Sequence, residues 1–433
     1  MMRSSIIGIW RLFCALCCAV GRKDVNLPDF IFEMDMKNIL EELSVSGNLR
    51  TLPEAEHSGK HIARDGRRML NLSSNDYLGI ASDGRMMADF LHEVAAAPEL
   101  SGAAAAGFLL SSTSSRLLTG NYPVCGKVED ALAGMFGAEA ALTFSSGYHM
   151  NAGILPAVSD SGTLILADKL IHASLIDGMR LCNSKVLRYR HQDMAQLEGL
   201  VWKYRNEFSR IIIVTESIFS MDGDVTDLRR LVEIKKAVPS VMLYVDEAHA
   251  FGVRGETGLG VAQEQGCIHD VDFLCGTFGK AIASMGAYLV CSETVRRFLV
   301  NRMRTLIFTT ALPPLNYLWT LRVLKELPQL GGRRKQLEEN SAKVRNAVRA
   351  LGLECPSGSH IVPVMVGDSN DSIRRASEMQ AAGFYLLPVR PPTVPAGTSR
   401  LRISMTAAVT AEETAALISA LSVQSSAGGD ECR

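Results

Sequence analysis

The residue best placed for covalent chemistry is Lys280, in Thr277-Phe278-Gly279-Lys280, just past the buried-type run Phe273-Leu274-Cys275. Taken alone, a lysine at a strand end is a solvated charge. Asp246 changes that reading, because it closes the apolar run Val241 to Val245 one strand and one helix upstream. A carboxylate buried at a strand end needs a cationic partner, or it takes up a proton.

A protonated pyridine nitrogen is such a partner. A lysine for a Schiff base, a carboxylate that keeps the ring nitrogen protonated and a cradle for a phosphate are together what pyridoxal phosphate (PLP) requires. Ser145-Ser146-Gly147-Tyr148 lies between an apolar run and a helical stretch and offers free backbone N–H groups and a positive helix end to a phosphate. By itself that tetrapeptide is a weak signal and reads first as a structural strand-to-helix turn. His172 could stack on a cofactor ring or be a half-buried histidine bonded to backbone. His249 follows Asp246 by one turn and could reach a phenolic oxygen or satisfy local backbone.

These groups recur in one grammar: a short apolar run, polar residues at its carboxyl end, then a helical stretch. It appears at 141–151, 163–175, 210–224, 241–252 and 272–282. Continuous Val, Ile and Leu runs alternating with helices predict a parallel sheet covered on both faces, with ligands at the strands' carboxyl ends. All five polar clusters are therefore expected in one crevice. Upstream, Met36, Ile39, Leu40 and Leu43 have the one-face spacing of a helix, and MLNLSSNDYLG (69–79) reads as a strand entering a turn. Residues 101–120, rich in Ala and Ser, suit a loop or a closely packed backbone. After Pro328 come a charged helix (333–351), a strand (360–366), a helix (371–382), strands in FYLLPVR and RLRISM, and a last helix opened by the capping box Thr410 and Glu413.

The 433 residues, 47% apolar and 21% charged, suit a large domain plus a smaller one. Lys+Arg 45 against Asp+Glu 46 leaves a formal charge of -1, without the basic field that nucleic-acid binding uses. The 10 cysteines form neither a disulfide framework nor a paired metal-ligand spacing, so a reducing, cytoplasmic setting and no metal are expected. The start resembles a weak signal peptide, but Arg11 splits its apolar run, which is too short to span a membrane. An over-extended start, with the protein proper beginning at Met34 or Met36, accounts for it better. LYVDEAH looks like a strand ending in a nucleotide-hydrolase acidic motif, yet no GxxxxGK[ST] precedes it, and Gly279-Lys280 is followed by Ala281.

Seven motifs in order, SNDYLG (74–79), SSGYHMN (145–151), HASLIDG (172–178), TESIFSMDGD (215–224), VDEAHAFGVRGETGLG (245–260), TFGKA (277–281) and RPPTVPAGTSRLRIS (390–404), resemble the α-oxoamine synthases over about residues 36–422. These PLP enzymes condense an amino acid with an acyl thioester and release CO₂. The resemblance implies an α/β, fold-type I PLP transferase: a mainly parallel seven-stranded sheet in a large domain (76–325) and a small C-terminal α+β domain (326–433). Residues 34–75 would then be an N-terminal arm and 1–33 an extension foreign to the family.

Carried over by position, the resemblance makes Lys280 the Schiff-base lysine and acid/base, Asp246 the partner of the ring nitrogen and His172 the ring-stacking group. Ser220 and His249 would bond the phenolic oxygen. Gly147, Tyr148 and Thr277 would hold the phosphate, with Thr309 or Thr310 lent by a second subunit of a homodimer. Asn75 and Arg402 would take the amino-acid carboxylate, while Arg50, Thr393 and Arg390 would lie toward an acyl-CoA or acyl-carrier-protein thioester. RPPTVPAGT most resembles the member that joins L-alanine to a pimeloyl thioester in biotin synthesis; relatives using glycine or serine remain alternatives. Two departures stand out: Thr113-Ser114-Ser115-Arg116 replaces a Gly-Gly-Ser-Arg turn, and Cys125 replaces a histidine.

Overall fold

Strands made of unbroken Val, Ile and Leu can be hidden only between two helical layers, and the largest sheet is built from such strands. A computed structural model of the chain describes residues 27–96 and 110–427. The cysteine-bearing start and residues 101–109 of the Ala-rich stretch lie outside the described residues.

The first helix spans Leu27–Val45, longer than the four-residue apolar stripe predicts, because the intervening Glu, Met and Lys are themselves good helix formers. It ends in a Schellman turn: Gly47 N–H donates to Ser44 O (3.1 Å), Asn48 N–H to Leu43 O (2.7 Å), and Gly47 has φ 65°. A meander follows, β1 (Glu56–Ser58), β2 (His61–Arg64) and β3 (Arg67–Asn71).

The central strands are β4 (Ala140–Phe144), β5 (Thr163–Asp168), β6 (Lys185–Tyr189), β7 (Arg210–Glu216), β8 (Val241–Asp246), β9 (Phe273–Thr277) and β10 (Ala287–Cys291). They form one 7-stranded sheet in the order β4-β10-β9-β8-β7-β5-β6. Only β10 runs against the rest, pairing antiparallel with both β4 and β9. The carboxyl ends of β4, β5, β7, β8 and β9 therefore share one edge, and the register Glu216↔Asp246↔Cys275 sets β7, β8 and β9 level there. Apolar clusters cover both faces of this sheet.

The C-terminal block holds β11 (Ile361–Gly367), β12 (Phe384–Tyr385), β13 (Pro388–Val389) and β14 (Ser399–Ser404). FYLLPVR, read as one strand, is split: β12 pairs parallel with β3, whereas β13 joins the β11-β14-β13 sheet. Pro388 has no N–H with which to continue a single ladder, so the chain changes sheets there. The capping box forms as expected, with Thr410 N–H donating to Glu413 Oε2 (2.8 Å) and Glu413 N–H to Thr410 Oγ1 (3.2 Å). Glu413 also pairs with Lys60 at 2.7 Å, tying the last helix to the meander. Among the described residues no helix is long and apolar enough to cross a membrane.

A buried clamp braces the sheet edge beside the crevice. The His191 ring bridges Asp168 Oδ1 and Asp224 Oδ2, each at 2.9 Å, joining the ends of β5 and β6 to the loop after β7. Burial lowers the pKa of His191, but the bonds and charges of the two carboxylates outweigh it and push it up to about 10. The clamp is thus fully stabilising below the ordinary histidine value near 6.5, and its contribution fades as pH climbs toward 10. Replacing His191 by Ala leaves two buried carboxylates without their cation. It is expected to cost about 3 kcal/mol at pH 6 and much less at pH 10, read as melting temperature against pH for both proteins.

Candidate active site

Asp246 closes β8 with its carboxylate buried. One oxygen accepts from the Asn151 amide (2.8 Å) and the other from Ala248 N–H (2.9 Å). Among the described residues, no lysine, arginine or histidine nitrogen lies within 4.0 Å of it, although such burial ordinarily demands a countercharge. Next to it, at the end of β7, Glu216 is also buried, and its Oε1 has no partner. Burial, and then the charge of Asp246, push its carboxyl well above the usual range. Glu216 is thereby driven toward its neutral form beside the Asp246 carboxyl.

Asn151 arranges more than Asp246. Its carbonyl oxygen accepts from Tyr244 OH (2.7 Å), and its amide also donates to Ser174 Oγ (3.0 Å). Ser174 Oγ in turn meets His172 Nδ1 at 2.7 Å, and Ser174 N–H donates to the same nitrogen (3.2 Å). His172, capping the helix Ala173–Arg180, is thereby fixed with Nδ1 as acceptor and its ring open to the crevice.

Lys280 stands three residues past β9, with Nζ 2.7 Å from His249 Nε2. Burial lowers its pKa to about 8, against the opposing pull chiefly of Asp246. His249 is buried and held neutral, first by burial and then by the nearby Lys280 and Arg402 charges. Its Nδ1 lies 2.7 Å from Tyr77 OH. Tyr77 OH donates to Asn75 Oδ1 (2.9 Å), so its oxygen accepts from His249 Nδ1–H and from Arg402 Nη2 (3.2 Å). That leaves His249 Nε2 to accept a hydrogen bond from Lys280 Nζ.

Arg402, on β14, gathers the opposite wall. Its Nη1 donates to Asn75 Oδ1 (3.2 Å) and its Nε to the Ser220 carbonyl (2.5 Å). Thr277 and Phe144 both face Ala287 of β10, which brings Gly147 opposite Thr277. A Cβ at Gly147 would lie 3.8 Å from Thr277 Oγ1, so glycine leaves open the gap between that hydroxyl and the helix Gly147–Val158. The helix's first N–H groups lack intrahelical acceptors and favour an anion there. Tyr148 turns its hydroxyl to Asp177 (2.5 Å). Thr309 and Thr310 lie beside the start of this cradle, with the Thr310 carbonyl accepting from Ser145 Oγ (3.3 Å) of the same chain.

Beside this cluster lies a cavity of about 900 Å³ lined by Arg50, His172, Ser220 and Thr393 among others. Arg50 donates to Thr393 Oγ1 (3.0 Å). Arg390 does not line the cavity: its guanidinium is spent on the carbonyls of Gly47 and Leu49, so it shapes the loop that presents Arg50. Of the two departures, Arg116 pairs with buried Glu129 (2.5 Å), which also accepts from Thr143 N–H (2.8 Å), locking the loop to β4. Cys125 is buried beside this pair, and burial pushes its thiol up, away from reactivity.

Residues 67–421 match the family model for aminotransferase class I and II. The chain belongs to that family. Within it, this is an α-oxoamine synthase: it is 50% identical over 386 residues to 8-amino-7-oxononanoate synthase of Haemophilus ducreyi, covering 88% of this chain and 98% of the relative. Serine palmitoyltransferase of S. paucimobilis, solved with a bound PLP–myriocin aldimine, matches with TM-score 0.82 at 26% identity over 94% of this chain and 100% of that one. 8-Amino-7-oxononanoate synthase of Francisella tularensis matches with TM-score 0.69 at 26% identity, over 84% and 98%. The chain is thus a PLP-dependent enzyme of fold type I, with the mainly parallel central sheet and small C-terminal domain of that class.

Asn151, Ser174, Tyr77 and Glu216 escaped sequence reasoning although each lies inside or beside a motif already singled out; an amide or hydroxyl in a motif says nothing of which neighbour it bridges. Two outcomes test the site of this α-oxoamine synthase. In cofactor-free protein, Lys280 is expected to react with an amine-directed reagent along a pH curve centred near 8, well below the other lysines, as read by peptide mass spectrometry. Asn151→Ala is expected to weaken PLP retention roughly tenfold, measured by visible absorbance during dialysis, because it loosens both Asp246 and His172.

Proposed function

We propose that this α-oxoamine synthase binds PLP in the crevice and condenses L-alanine with a pimeloyl thioester, giving 8-amino-7-oxononanoate, CO₂ and the free thiol carrier, a step of biotin synthesis. The observation that carries the PLP assignment is the buried Asp246 carboxylate, unpaired yet hydrogen-bonded, level with a desolvated lysine. The choice of alanine and pimeloyl thioester rests on the likeness to the Haemophilus ducreyi enzyme.

PLP, when bound, supplies an electron sink that makes the amino acid's Cα–H bond acidic and permits loss of CO₂ after condensation. Asp246 holds the ring-nitrogen proton, and Glu216, driven toward its neutral form, leaves that charge undivided. Thr277 and the first N–H groups of the helix at Gly147 and Tyr148 take the phosphate. His172 covers the ring, and Ser220 and His249 face the phenolic oxygen. Lys280 takes and returns the Cα proton at Nζ, a task suited to an amine with pKa about 8. Arg402 and Asn75 hold the substrate carboxylate, which orients the Cα–H bond, and Arg50 with Thr393 face the acyl group. A cytoplasmic homodimer, with Thr309 and Thr310 offered to a second copy, completes the reading.

A second reading, in which serine or glycine replaces alanine, is favoured by the higher TM-score to serine palmitoyltransferase. Amino-acid titration separates the two. L-Alanine is expected to perturb the visible band above 400 nm, and pimeloyl-CoA then to release CoA; a response confined to serine or glycine overturns the alanine assignment. Lys280→Ala is expected to lower CoA release at least 1,000-fold while the protein stays folded, and undiminished turnover would refute the role of Lys280.

A further inference from the structure

The cavity next to His172 and Ser220 has mostly apolar walls, supplied by residues such as Leu170, Ile171, Ile176, Phe219 and Val394. Its charged groups are unequal. Four cations, Arg50, Lys169, Arg188 and Arg400, face it against one acid, Asp222, and that acid is gripped by Arg400 in an ion pair. Arg50 is bonded to Thr393. Lys169 and Arg188 have no carboxylate within 4.0 Å among the described residues.

The sheet places those two together. β5 and β6 pair in parallel with Asp168 opposite Tyr189, and Lys169 N–H extends the ladder by donating to Tyr189 O (3.1 Å). The Arg188 guanidinium crosses back to bond the Lys169 carbonyl. Two like charges are thus held at one rim of an apolar cavity by backbone register. Such an arrangement repels a second cation, gains nothing from an uncharged chain end and is satisfied by an anion.

We propose that Lys169 and Arg188 form a cation pair that binds the anionic terminus of the acyl thioester substrate. The anion has two possible sources with one chemistry: the carboxylate at the far end of a dicarboxylic acyl chain, or the phosphates of the thioester carrier. The proposal rests on the acyl-transfer reading above and extends it from Arg50 and Thr393 to the opposite rim. It also gives a physical reason for selecting a carboxyl-terminated chain over a fatty acyl chain.

The test is equilibrium binding of pimeloyl-CoA and of heptanoyl-CoA, which lacks the distal carboxylate, to the PLP-loaded enzyme by calorimetry without amino acid, so that no turnover occurs. Lys169→Ala, Arg188→Ala and the double variant are compared with wild type at two salt concentrations. The expected result is about a tenfold rise in Kd for pimeloyl-CoA in each single variant and a weaker salt dependence. Heptanoyl-CoA unchanged in the same variants assigns the pair to the distal carboxylate; an equal loss for both assigns it to the carrier's phosphates. If neither ligand's Kd moves in the double variant, the cation pair is not a binding element. If the wild type ignores pimeloyl-CoA, the pimeloyl assignment fails separately; succinyl-CoA and palmitoyl-CoA then serve as probes, and an unchanged Kd for both in the double variant overturns the pair.

Discussion

A buried carboxylate without a countercharge is the constraint around which this active site is arranged. Both oxygens of Asp246 are engaged, one by the Asn151 amide and the other by Ala248 N–H, which fixes the carboxylate at the end of β8. Glu216, one strand away, is driven toward its neutral form by burial and by Asp246 itself, which eases the conflict between two adjacent acids. What remains is one negative charge in an apolar wall, which a protonated ring nitrogen can complete. Asp246 also opposes the burial that depresses Lys280, so the two groups are electrostatically linked across the crevice.

Parallel pairing makes that economy possible. Five strand ends on one edge present their following residues to a common crevice, and the level register of β7, β8 and β9 fixes Glu216 and Asp246 side by side. The antiparallel β10 does a different task, carrying Ala287 between Phe144 and Thr277 so that the helix start at Gly147 meets the Thr277 hydroxyl. The far wall comes from the C-terminal block, where β14 delivers Arg402, and from the turn after β3, which delivers Asn75 and Tyr77. The wall is therefore held by two pieces of chain distant in sequence, joined by the β3–β12 pairing and by Lys60 on Glu413.

Much of this was legible from residue order, for identifiable reasons. Each central strand is a run of β-branched and leucine residues ended by a polar cluster, so the sheet and its functional edge followed from local pattern. The Thr410–Glu413 box likewise needs only four residues to declare itself. FYLLPVR was misread because apolar content cannot tell which sheet a strand joins, and Pro388 acts through a missing donor rather than through hydrophobicity. The family resemblance carries Arg390 toward the acyl group by position alone, whereas its commitment to the carbonyls of Gly47 and Leu49 depends on chain more than 300 residues away. Asn151 went unremarked for a related reason: bridging Asp246, Ser174 and Tyr244 is a property of three elements converging and leaves no mark on any one of them.

A chain of hydrogen bonds from Arg402 through Tyr77 and His249 joins the C-terminal block to the strand-end Lys280. The Arg402 charge depresses both Lys280 and His249, and no acid within ion-pair reach offsets it among the described residues. Burial is the main cause of the low Lys280 and His249 values and the Arg402 charge adds to it, so the three groups share one electrostatic environment along this chain of hydrogen bonds.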